Sequence, residues 1–118
     1  MVINHDYPLG KISINSYAIE KIAGFATTEC YGIVGMASKN VKDGIVKLLK
    51  IESITKGVKL KVEDENLVID LYIIVKYGVN IKAVSESIIQ TVKYKVEEAT
   101  NLTISRINIF VEGIKIID

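Results

Sequence analysis

The chain has no tryptophan, one cysteine, one proline and one histidine among its 118 residues. Each shortage excludes some chemistry. A single thiol, Cys30, cannot form an intramolecular disulfide, which fits a reducing compartment. The one imidazole, His5, sits in the lead-in MVINHDYPL and reads as a solvated bystander rather than a base or ligand. Metal sites need several His, Cys or carboxylate ligands converging, and the sequence offers no such cluster, so neither metal nor cofactor is expected. An excess of one charge is also missing. Fifteen Lys and Arg against 14 Asp and Glu leave a net charge of +1, which argues against a strong general attraction to nucleic acid or anionic membrane. Long hydrophobic runs are absent too. Tyr72-Ile73-Ile74-Val75 lies between Asp70 and Lys76, far short of the ~20 apolar residues of a membrane span. The N-terminus carries no basic region followed by an apolar one, so no leader is expected. A soluble, cytoplasmic chain is expected, without direct membrane insertion.

What is present is a well-patterned single domain. Hydrophobic residues make up 49% and charged residues 25%, an ordinary globular mixture. Residues 1–9 read as a flexible lead-in and 10–118 as one domain. Gly10–Asn15 alternates as a short strand, and Ser16 is placed to cap the helix after it. In that helix Ile19, Ile22, Ala23, Ala26 and Cys30 share one stripe. Ala23 and Gly24 leave room for a neighbour, and Gly32 stops the helix. YGIVGMASKN resists assignment: Gly32 and Gly35 argue against a helix, and Ile33, Val34 and Met36 against an exposed loop. It is expected as a short extended or buried turn segment. Residues 41–53 read as a weaker amphipathic helix with Val41, Ile45, Leu48 and Leu49 as its stripe, weakened at Gly44.

The second half is clearer. Val58, Leu60 and Val62 alternate with Lys59, Lys61 and Glu63, and Asp64, Glu65 and Asn66 supply turn chemistry. Leu67, Ile69, Leu71, Ile73, Val75 and Tyr77 then share one strand face. Asn80 is placed to cap a long helix whose stripe is Ile81, Val84, Ile88, Val92, Val96 and Ala99. Asn101 suits its left-handed end. The last strand, 103–111, turns Ile107, Ile109 and Val111 inward. The order strand–helix–(short helix)–strand–strand–helix–strand predicts an α+β fold. It has two layers, a mixed sheet of about four strands with helices on one face, and the last strand parallel to the one ending at Val75.

That alternation sends Val68, Asp70, Tyr72, Ile74 and Lys76 to the other face. Arg106, Asn108, Phe110, Glu112, Lys59 and Lys61 join them. Tyr72, Ile74 and Phe110 are candidate apolar anchors there, with Lys59, Lys61 and Arg106 as rim charges. The N-terminal segment or the 31–40 loop covering this face is the plain alternative. A nucleic-acid module stacking bases on Tyr72 and Phe110 is a further one. Against it stand Asp70 and Glu112 on the same face and the lack of an RNP-type motif.

No catalytic constellation accompanies the face. Cys30 lies on an apolar stripe with no cationic partner in view, the reading of a buried structural thiol. Glu63-Asp64-Glu65 reads as a hairpin turn, and Gly32-Ile33-Val34-Gly35 lacks the pattern of a phosphate loop. Tyr72, Tyr77 and Tyr94 have no evident base beside them. An enzyme is not expected.

An ordered set of features over residues 10–114 resembles the alkaline shock (Gls-type) envelope stress-response proteins of Gram-positive bacteria. The set is Gly10-x-Ile12-x-Ile14, Ile22-Ala23-Gly24, Gly32-x-x-Gly35-Met36, Lys56-Gly57-Val58, Tyr77-Gly78 and Asn108-x-x-Val111-x-Gly113-Ile114. Two positions depart from that pattern. Thr100-Asn101-Leu102 replaces Thr-Gly-Leu, and Cys30 stands where valine is common. The resemblance implies a cytoplasmic protein of envelope homeostasis and stress, forming a homo-oligomer. It implies attachment at the membrane periphery through a membrane-anchored protein partner. No catalytic residue is implied, so a non-enzymatic scaffold is the expected function.

Overall fold

The computed structural model describes residues 2–4, 13–38 and 47–116. Its elements are β1 (Val2–Asn4), β2 (Ser13–Asn15), α1 (Ser16–Thr28) and β3 (Ile33–Met36), then a 3-10 helix (Ile51–Gly57), β4 (Val58–Glu63), β5 (Asn66–Lys76), α2 (Ile81–Thr100) and β6 (Ile104–Lys115). His5, Pro8, Gly10, Ile12, Val41, Gly44 and Ile45 lie outside the described residues.

The sheet is built around β5. β6 runs parallel to it from Leu67 to Lys76, along one whole edge. The other edge is shared: β4 lies antiparallel beside Asn66–Leu71, and β3 antiparallel beside Ile73–Val75. The four-stranded mixed sheet is the one expected, with one change of membership. The strand at 10–15, seen at Ser13–Asn15, pairs with Val2–Asn4 of the lead-in, and the fourth strand is Ile33–Met36.

The hairpin forms where expected. Asp64 and Glu65 both take positive φ (49° and 67°), the pair of left-handed residues that a two-residue turn between right-twisted strands requires. α2 is the crossover between the parallel strands. Asn80 accepts a bond from the Ala83 amide at 3.0 Å. Such a cap is worth about 1 kcal/mol. Asn101 closes the helix with φ 59°, its amide on the Glu97 carbonyl at 2.8 Å. Glu97 also accepts the Ile104 amide at 2.9 Å, so one residue fixes both the end of α2 and the start of β6.

The core lies between the helices and the inner sheet face. Ile19, Ala23 and Ala26 of α1 and Val84, Ile88, Val92 and Val96 of α2 pack on Leu67, Ile69, Leu71, Ile73 and Val75. Ile81 and Ala99, at the two ends of the expected α2 stripe, are exposed, as is Tyr77 just past the end of β5. Cys30 belongs to the core, its thiol on the Ala26 carbonyl at 3.5 Å. The room at Gly24 is filled by Ile54, whose Cγ1 would be 3.2 Å from an added Cβ.

Two expected local features differ. Ser16 is the first residue of α1 rather than its cap. The helix expected over 41–53 is seen in its described part only at 51–53, as the start of the 3-10 helix. Residues 47–50 are non-helical: Leu48 bridges Ala37, and the Leu49 amide donates to Met36 at 2.8 Å. Helical turns begin only at Ile51. A weak helical pattern has yielded to pairing beside β3.

The glycines of GIVG have separate reasons. An added Cβ at Gly35 would sit 2.6 Å from Leu48 Cδ1. Gly32 holds φ +89° where its Cβ would lie 2.8 Å from Val84 Cγ2. Left-handed backbone costs a side chain roughly 1–2 kcal/mol before any clash. Gly32→Ala is therefore expected to destabilise by about 2 kcal/mol or more. The check is the urea midpoint, and an unchanged value would count against this packing.

Candidate interaction surface

The outer face of the sheet is laid out in rows by strand register. Lys59, Asp70 and Asn108 form one row, and Lys61, Val68 and Arg106 the next. Tyr72 and Phe110 form a third. The structure thus brings five of the six expected surface residues together as neighbours on one face. Ile74 follows beyond Tyr72, between Gly35 and Gly113.

Chemistry differs sharply between rows. Tyr72 and Phe110 stack with ring centroids 4.8 Å apart and planes 13° from parallel. Aromatic pairs of this kind add ~0.5–1.5 kcal/mol beyond their buried area. Phe110 remains 42% exposed after stacking, and Tyr72 is half-buried. Ile74 is only 6% exposed and has little surface left to offer a partner. The apolar patch is an aromatic pair rather than the three anchors expected.

The rim charges are largely answered within the chain. Asp70 is 2% exposed in the middle of the face. Its Oδ2 meets Lys61 Nζ at 3.2 Å, and its Oδ1 accepts from Asn108 Nδ2 at 2.9 Å. A buried carboxylate needs such partners on both oxygens. Arg106 reaches Glu63 at 3.3 Å from an exposed position. Lys59 is exposed beside Asp70. Sequence reasoning placed Asp70 on this face but missed its role in tying β4, β5 and β6 together. The signal was an acid between Ile69 and Leu71 in the most apolar strand.

No metal site can be drawn from the described residues: no three His, Cys, Asp or Glu side chains among them are grouped to hold an ion. An apolar hollow of about 220 Å³ lies between α1, β3 and the 3-10 helix, lined by Phe25, Val34, Met36, Leu48 and Ile54 among others. It is smaller than the ~300–1,000 Å³ of ordinary ligand clefts. No helix among the described residues is long and apolar enough to cross a membrane.

Comparison with known proteins adds the class of function. Residues 4–116 match a family described as having a cell envelope-related function. The chain belongs to this family, that of the alkaline shock proteins. It is 43% identical over 108 residues to the uncharacterized protein YloU of Bacillus subtilis (strain 168), covering 91% of this chain and 90% of YloU. It is 38% identical over 109 residues to the uncharacterized protein Spy1614 of Streptococcus pyogenes, covering 92% of this chain and 90% of that one. A stress response regulator gls24 homolog of S. pyogenes is 30% identical over 109 residues, 90% of this chain but 59% of the relative. No solved structure matches the chain.

The electrostatics of the face can be checked at Tyr72. Burial raises its pKa above the ordinary 10.0, and the Asp70 and Glu112 carboxylates raise it further, with Lys61 opposing. A phenol that holds its proton longer in the folded state leaves stability intact below the unfolded pKa. That stability is lost as pH rises through the folded one. Replacing Asp70 with Asn is expected to move the Tyr72 titration downward while leaving it above 10.0, since burial persists. The tyrosine Cζ chemical shift reads this directly. No movement would mean that Asp70 does not act on the ring.

Proposed function

We propose that the chain is a non-enzymatic scaffold of the cell envelope, which self-associates and docks at the membrane periphery on a membrane-anchored protein. The observation that carries this reading is the Tyr72–Phe110 stack, an aromatic patch held on a rigid sheet. Interfaces are enriched in aromatic anchors with a polar rim, and a preorganised pair loses little side-chain entropy on binding. Lys59 and the half-exposed Lys61 and Arg106 supply the rim. The cell envelope-related description of the family supports the setting.

The same geometry favours protein over nucleic acid as the partner. Phosphate-binding cations work by exchanging counterions for phosphates. Here Asp70 and Glu63 already neutralise Lys61 and Arg106. The stacked pair also turns one aromatic face of each ring to the other rather than to a base.

Membrane fractionation tests the reading. The tagged chain, expressed in its own cells, is expected to sediment with membranes in the presence of nuclease. Limited proteolysis of stripped membranes should abolish its rebinding. Phe110→Glu, with an unchanged circular dichroism spectrum, should shift most of it to the supernatant. Rebinding that survives proteolysis, or that disappears with nuclease, would refute docking on a protein.

A further inference from the structure

β6 is one edge of the sheet, opposite the edge shared by β4 and β3. Among the described residues no strand pairs with its outer side. Proteins usually blunt such an edge with proline, lysine, bulges or brevity. The register of β6 shifts between Leu67/Val68 and again between Ile73/Ile74, where its partner moves from Val111 to Gly113. Between the two irregularities runs Ile107-Asn108-Ile109-Phe110-Val111, which is uncharged, free of proline and glycine, and regular.

The backbone of this stretch faces a definite way. Leu67 and Tyr77 donate their amides to Thr103 and Lys115 on the β6 side at 3.1 and 2.9 Å. Tyr72 accepts from Ala37, and Lys76 donates to Gly32, both at 2.9 Å on the β3 side. Odd residues along β5 therefore point their backbone groups at β6, and even ones away. Ile69 pairs with Ile107 and Leu71 with Ile109. In a parallel ladder a residue bonds the two neighbours of its partner, so Arg106, Asn108 and Phe110 engage β5. Ile107, Ile109 and Val111 consequently turn their N–H and C=O groups to the open edge.

From this we infer that β6 pairs antiparallel with β6 of a second copy, about a two-fold axis at Ile109. The inference rests on the self-association in the scaffold reading and names its surface. The register is self-complementary at every level. Ile109 opposes its own counterpart, and Ile107 opposes Val111. These are the residues whose backbone groups have no partner strand among the described residues, and a hydrogen-bonded antiparallel pair exchanges both bonds. On the outer face Asn108 opposes Phe110, which brings the two Phe110 rings diagonally together, within the reach of aromatic side chains. The aromatic pair of one copy then continues into that of the other. Just outside the regular stretch, at each end, Arg106 of one copy comes near Glu112 of the other, an opposite-charge pair repeated by symmetry. Shifting the axis to Ile107 or Val111 keeps the backbone parity but loses both charge pairs.

The test combines sedimentation across a concentration series with amide exchange on the whole chain. Association is expected, with the Ile107, Ile109 and Val111 amides protected in the assembled state and exchanging fast in the monomer. Ile109→Pro removes an N–H that bonds nothing among the described residues, so it should abolish association while preserving the fold. Should that variant fail to fold, the charges decide. Arg106→Glu and Glu112→Arg are each expected to weaken association roughly tenfold, and the double reversal to restore it. Association with those amides unprotected, or no rescue by the double reversal, would overturn the edge pairing and leave the scaffold reading standing. A monomer at every concentration would overturn both the pairing and the self-association.

Discussion

Both edges of β5 are paired and most of its residues are buried, and the rest of the structure depends on that constraint. A strand partnered along each edge has no backbone group left to solvent, so it can be buried as few antiparallel strands are. Its inner residues, Leu67 to Val75, take the helices. Its outer residues Val68 and Ile74 are also buried, although no helix among the described residues packs there. The exception is Asp70, and the sheet answers it from both sides, with Lys61 on β4 and Asn108 on β6. One acid in the central strand thus ties three strands together at a point where apolar packing alone would leave their relative position less defined.

The legible parts of the fold were those with a long local period. Eleven residues of strand and twenty of helix carry enough repeats to fix type and facing, and the caps at Asn80 and Asn101 follow from side-chain chemistry at the chain level. β3 was not legible. It is four residues long, contains a glycine and a register shift, and exists through pairing with a strand about forty residues away. The helical reading of 41–53 failed at residues 47–50 for the same reason. Leu48 and Leu49 suit an amphipathic stripe, but the edge of β3 offers them bridge and hydrogen-bond partners. Short segments are decided by tertiary contacts that no window contains.

At the surface, alternation placed Tyr72, Phe110, Lys59, Lys61 and Arg106 on one face as expected, because side-chain direction in a strand is strictly periodic. It said nothing of cover. Ile74 shares the direction and yet is buried, while Asp70 is buried as a tie between strands. What remains exposed is an aromatic pair next to an open edge, a geometry suited to contact with another protein surface. The match to a family of cell envelope-related function gives the setting of the proposed role.

The central claim is that proteins contact this face in the cell. The most direct test is a photoactivatable amino acid at position 110, irradiated in living cells. The account predicts protein adducts, with a second copy of the chain and with a membrane-anchored protein, which fade when Tyr72 is replaced by Glu. Adducts to nucleic acid, or none above those from a solvent-facing position on α2 such as Lys82, would contradict it.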